Sequence, residues 1–195
     1  MRRYRRRLVP DREVEVMRYV KARGYPVPRV VSVTDNDLIL DKVEGPTMQE
    51  ALMQDLGRID EQAAALAHLH DLLHRIEAPA WLPQRVPGER VLHLDLHPAN
   101  VILSAQGPVV IDWANAATGP AALDPALAIA IFVAARASAP IDVSGIDAFI
   151  RSFAQHFDTE ELRAALPQAI EMRSADPNVT DDERRELLSL DWPLG

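Results

Sequence analysis

No cysteine occurs in these 195 residues, which excludes disulfides and thiolate chemistry and fits a reducing, cytoplasmic setting. Lysine is nearly as scarce: Lys21 and Lys42 stand alone, so almost all positive charge is arginine. Long apolar runs are missing too. The most apolar stretch, Pro125 to Ala135, is too short to span a bilayer. The basic opening is followed by Asp11-Arg-Glu rather than by the apolar core of a signal peptide. A net charge of -8 argues against general affinity for nucleic acid or anionic membrane. What remains, 48% hydrophobic and 26% charged, is ordinary for a soluble globular protein. The length suits one core, or one domain with a small second lobe.

Arg2, Arg3, Arg5, Arg6 and Arg7 surround Tyr4, but no basic–aromatic alternation continues past them, so a solvated strand or terminus is the simpler reading than a nucleic-acid-binding arm. Val16, Tyr19 and Val20 fall at helical spacing within Arg12 to Ala22, and Gly24 is a natural stop. Pro26-Val-Pro28 forces extended backbone into Arg29 to Val33. Thr34-Asp-Asn-Asp37 is turn-like, and Leu38-Ile-Leu40 completes a hairpin. Glu44-Gly-Pro46 breaks the pattern and divides residues 1–44 from a mostly helical 45–195.

In that second part Leu66, Leu69, Leu73 and Ile76 form one stripe over Asp60 to Ile76. Asp124-Pro125 reads as an N-cap followed by proline at the first helical position, opening a helix to about Ala137. Ile146, Phe149, Ile150 and Phe153 mark another helix. Capping-box spacings at Asp158 to Glu161 and Thr180 to Glu183 announce two more. Val101-Ile-Leu103 and Val109-Val-Ile111 are strands joined through Ser104 to Pro108. Pairing Leu103 with Val109 predicts Asn100 opposite Asp112, roughly 4.5–5.5 Å apart at Cα.

Into that space runs His93-Leu-Asp-Leu-His-Pro-Ala-Asn100. Three readings compete. Asp95 and Asn100 are residue types that commonly cap a turn. His93, Asp95 and His97 at alternate strand positions would suit a transition metal, with His70 and His74 as a further i, i+4 pair, although Pro98 argues for a loop. In the third, Asn100 and Asp112 offer hard oxygen ligands for Mg²⁺ while Asp95 takes a proton from a hydroxyl. That is the minimal kit for phosphoryl transfer from a nucleotide.

The spacing His93-x-Asp95-x-x-x-x-Asn100, with Ile111-Asp-Trp113 eleven residues further on, resembles the aminoglycoside phosphotransferase and choline kinase-like family, whose members share the protein-kinase-like fold. The resemblance runs over roughly residues 2 to 157 and implies an α+β, two-lobed protein. It implies that Asp95 is the catalytic base, that Asn100 and Asp112 hold Mg²⁺, and that His93 braces the loop. Leu38 to Met48 is similar to the family's fifth strand and hinge, so the Asp41 carbonyl and Val43 N–H would meet the adenine of ATP. Asp124 falls where the family has an aspartate steadying the catalytic loop, a role its N-cap reading leaves open.

Glu13 fits the family's helix glutamate, but its strand lysine has no counterpart here, and Arg2 is the substitute the resemblance suggests. The family's first two strands and glycine-rich phosphate cover have no counterpart before Glu13 either. The expectation is therefore a truncated N-lobe: either the natural start lies upstream of Met1, or the enzyme is shortened and impaired. The implied partners are ATP and a small-molecule hydroxyl acceptor, with no nucleic acid and no membrane. The alternatives are a non-catalytic nucleotide-binding or interaction remnant of the same family, and a metallohydrolase. Neither the acceptor nor the oligomeric state is legible.

Overall fold

The computed structural model describes the backbone of Arg2–Arg3 and residues 10–137 and 143–190. Strand β1 (Arg2–Arg3) and helix α1 (Asp11–Lys21) precede a hairpin of β2 (Val30–Val33) and β3 (Asp37–Leu40). These strands form an antiparallel sheet in the order β1-β3-β2. Helix α1 begins one residue before the expected start, and Val14, Val16, Met17 and Val20 bury its inner face. Lys21 closes its last turn by donating to the Val27 carbonyl at 2.8 Å.

Helix α2 (Met48–Gln54) starts on a capping box formed by Thr47 and Glu50. Helix α3 (Ile59–His74) buries Leu66, Leu69 and Leu73, matching the expected stripe. Two very short strands follow that periodicity does not reveal, β4 (Arg90–Leu92) and β7 (Ala117–Gly119), paired antiparallel. Between them lies the hairpin of β5 (Val101–Ser104) and β6 (Gly107–Val110).

The hairpin differs from expectation by one residue. Ile102 faces Val109 and Leu103 faces Pro108, so Asn100 lies against Ile111 rather than Asp112, and Ile111 N–H donates to the Asn100 carbonyl at 2.9 Å. The physical reason is the turn. Ala105-Gln106 closes it in two residues because Gly107 adopts φ +116 and the Ser104 hydroxyl donates to its carbonyl at 2.7 Å.

Helices α4 (Leu123–Ala135), α5 (Val143–Ala154), α6 (Thr159–Ser174) and α7 (Asp181–Leu188) complete the chain. Helix α4 is apolar almost all round and eleven of its thirteen residues are buried, because α5, α6 and α7 all pack on it. Among the described residues, no helix is long and apolar enough to cross a membrane. The N-cap reading of Asp124 is corrected: Ala122 occupies that position, and Asp124 is 1% exposed inside the first turn, aimed at the chain around His93.

Gly45 lies on the segment between β3 and α2. Its φ is +141, and a Cβ there would stand 2.2 Å from the Leu103 carbonyl oxygen. This close approach lets Leu103 N–H reach the Pro46 carbonyl at 2.9 Å, so the segment after β3 runs along β5.

Candidate functional site

Asp124 organises the loop before β5. One carboxylate oxygen accepts from the Leu94 N–H at 2.7 Å, and the other accepts from the His93 N–H at 2.9 Å and lies 3.2 Å from His74 Nε2. These bonds hold Leu94 at φ 60, a left-handed conformation that costs a leucine of order 1–3 kcal/mol. Burial pushes the Asp124 carboxyl up, but the His74 hydrogen bond, the His70 and His74 charges and the His93 N–H outweigh it, leaving it far below the usual carboxylate range.

His93 is fully buried. Burial lowers its pKa more than the nearby carboxylates raise it, so the ring is neutral. Its Nε2 lies 3.1 Å from the Ile111 carbonyl, which can only accept; Nε2 therefore carries the proton. Trp113 closes edge-on over the same ring at 4.6 Å between centroids. One imidazole thus joins the loop carrying Asp95 to the strand end carrying Asp112. Asp112 turns there in the left-handed region at φ 66, which re-aims the chain just beyond the hairpin.

Asn100 reaches back to Asp95. Its Nδ2 donates to the Asp95 main-chain carbonyl at 2.8 Å and to the carboxylate at 3.2 Å. Because a carbonyl cannot donate, this fixes the amide and leaves Oδ1 as an acceptor with no partner among the described residues. His97 caps the turn Pro98–Asn100 by accepting from Ala99 N–H on Nδ1, and its Nε2 stands 3.5 Å from the Asp95 carboxylate. Burial raises the Asp95 pKa, but the His97 hydrogen bond, and then the charges of His97, His93 and Arg173, bring it below the ordinary value.

The two aspartates line different cavities. Glu13, Leu40, Asp41, Val43, Ile102 and Asp112 are among the walls of one, about 400 Å³ in volume. Here the Asp41 N–H is spent on the Arg29 carbonyl at 2.9 Å, whereas the Asp41 carbonyl and the Val43 N–H have no partner among the described residues. The Asp41 side chain is occupied elsewhere, on Arg29. Glu13 is 2% exposed on α1. Arg2 lies opposite Leu38 on β1, but its part as substitute for the strand lysine rests on a side chain outside the described residues. A second cavity, of about 420 Å³, is lined by Asp95. Arg85, Asn115, Arg173 and Asp176 also line it, and no local sequence signal pointed to them.

The rival metal reading does not match this geometry. His93, Asp95 and His97 do not gather their ligand atoms; among the described residues the one such trio is His70, His74 and Asp124. There the carboxylate oxygens are already occupied by main-chain N–H groups and by His74, and His70 packs edge-on against Phe153 and Phe157.

Residues 42–165 match the family model described as "Phosphotransferase enzyme family". An aminoglycoside-3'-phosphotransferase of type VIII superposes with a TM-score of 0.53 at 19% identity, over 90% of this chain and 77% of that one. A glucosamine kinase aligns at a TM-score of 0.44 and 15% identity, over 93% of this chain and 63% of that one. In sequence, the EKC/KEOPS complex subunit BUD32 of Encephalitozoon cuniculi is 31% identical over 72 residues, 32% of this chain. The chain spans only 34% of that protein's length.

Proposed function

The chain belongs to the phosphotransferase enzyme family and has the α+β, protein-kinase-like fold, and we propose that it moves the γ-phosphoryl group of ATP to a hydroxyl of a small molecule. The observation that carries this reading is the placement of Asp95 and Asp112 on two segments tied by His93, each lining its own cavity. In the Asp112 cavity, the unpaired Asp41 carbonyl and Val43 N–H match the donor–acceptor edge of adenine. Two apolar walls, Leu40 and Ile102, suit the faces of its ring.

The donor chemistry suits Mg²⁺. It prefers oxygen donors, and Asn100 Oδ1 and the Asp112 carboxylate are an amide oxygen and an anion of the required kind. When bound, the ion supplies charge neutralisation across the phosphates. On the other side, the acceptor O–H gives its proton to the Asp95 carboxylate as its oxygen bonds to the γ-phosphorus. The bond from that phosphorus to the β–γ bridging oxygen breaks, and ADP leaves with the electron pair. Asn100 and His97 orient the carboxylate, and Asp124 and His93 keep the loop in place. Glu13 and Arg2 belong to the nucleotide side, and residues 1–44 serve as the lobe that covers it.

The test is Asp95→Asn. ADP release with acceptor present is expected to fall about 10²–10⁴-fold, while Mg-ATP affinity by calorimetry stays within error. Unchanged turnover overturns the assignment. Mg-ATP binding by the unsubstituted chain without any turnover favours a nucleotide-binding member that has left catalysis.

A further inference from the structure

The cavity beside Asp95 holds more hydrogen-bond donors than the protein itself uses. Asp95 and Asp176 balance Arg85 and Arg173 in formal charge, but their commitments differ. Asp176 is spent: Oδ2 accepts from Arg173 Nη1 at 3.2 Å, and Oδ1 accepts from the Asn178 N–H at 2.8 Å and its amide at 3.0 Å. Arg173 gives that pair one of the five N–H groups a guanidinium carries, and its Nε is buried without a partner among the described residues. Arg85 gives none of its side-chain donors to any described residue, although its main-chain N–H is pinned to the Thr118 carbonyl at 3.2 Å. The Asn115 amide, on the turn after Asp112, is equally uncommitted.

A buried, unpaired guanidinium N–H costs free energy unless something accepts from it. The missing acceptor has a definite chemistry. We infer that the phosphoryl acceptor carries an oxyanion, a carboxylate or a phosphate ester, held by Arg85 and Arg173 while its hydroxyl meets Asp95. This inference rests on the phosphoryl-transfer reading of the same site. The planar fork of arginine matches both oxyanions two-pronged, with charge-assisted bonds roughly twice as strong as neutral ones. A polycationic acceptor would need free carboxylates, and neither carboxylate among the cavity's described walls is free: Asp176 is spent as above, and Asp95 already accepts from Asn100 and lies beside His97. Asp147 is paired with Arg136, and Asp158 caps α6 and lines a different cavity. In a chain of net charge -8, two guanidiniums gathered here supply locally the attraction that the overall field opposes.

Binding to the full chain, followed by calorimetry, decides the matter with four probes. Glycerate and glycerol 3-phosphate present the two oxyanions, glycerol is neutral, and ethanolamine is cationic. Saturable binding of at least one oxyanion probe is expected, and which of the two binds more tightly separates carboxylate from phosphate ester. Arg85→Gln and Arg173→Gln should each weaken that binding about tenfold or more. Asp176→Asn, which frees Arg173, should tighten it. Ethanolamine or glycerol binding as tightly as both oxyanions overturns the inference. So does the absence of binding by either oxyanion, or unchanged oxyanion affinity in both arginine variants. Mg-ATP titrated against the same proteins keeps the two readings apart. Its affinity should be unaltered in Arg85→Gln, whereas failure of the unsubstituted chain to bind it counts against the nucleotide cavity and not against the oxyanion one.

Discussion

Asp95 is a carboxylate kept ionised by its neighbours against the pull of burial. The group that does most to lower its pKa is His97, so the sign of a substitution there is fixed. His97→Ala removes a lowering influence, the Asp95 pKa rises, and the acid limb of the kcat/KM profile moves to higher pH. A pH–rate series on both proteins checks this. Asp124 supports the loop differently, through two main-chain N–H groups. Asp124→Ala leaves both buried without an acceptor, at about 1–3 kcal/mol each. The urea midpoint should fall accordingly, and turnover should fall with it. Asp95, Asn100 and Asp112 could be proposed from the sequence because they sit in two short contiguous motifs. The part played by Asp124 came only from the family resemblance, since thirty residues separate it from the N–H groups it serves and its place before a proline mimics a cap. Arg85 and Arg173 gave no signal at all. They come to line one cavity with Asp95 only through the packing of α6 against α4 and the pinning of Arg85 to β7.

Among the elements, the longer helices were readable from their period to within a residue or two. Strands β4 and β7 were not, because three residues carry no period. The β5–β6 register was misread for a physical reason: Pro108 looks like part of the turn, yet Gly107 at positive φ closes the hairpin before it and leaves the proline on the strand. The chain after β3 depends on a contact that tolerates no side chain. Gly45→Ala places a methyl against the Leu103 carbonyl, a main-chain atom that cannot move without breaking the hairpin. Thermal melting should show the larger loss there. Thr47→Ala two residues on removes only a cap, which costs about 1 kcal/mol, and should leave nucleotide binding intact.

At the scale of the molecule, buried neutral histidines make acid the vulnerable direction. Desolvation takes His70 from its ordinary 6.5 to about 3, and His93 shifts the same way. A histidine whose folded pKa is depressed binds its proton more readily in the unfolded chain. Stability is therefore whole above about pH 6.5 and falls below it by about 1.4 kcal/mol per pH unit for His70, until about pH 3. Asp124, also depressed, adds its own loss at still lower pH. Urea midpoints should drop between pH 7 and pH 5, and a flat profile contradicts this account.

The His93–Ile111 hydrogen bond also gives the two cavities a shared element through which binding at one can reach the other. A ligand that orders Asp112 has already ordered, through one imidazole, the loop a second ligand needs. Nucleotide and acceptor should then each raise the other's affinity by the same factor, and that cooperativity should vanish in His93→Gln, as reciprocal titrations would register.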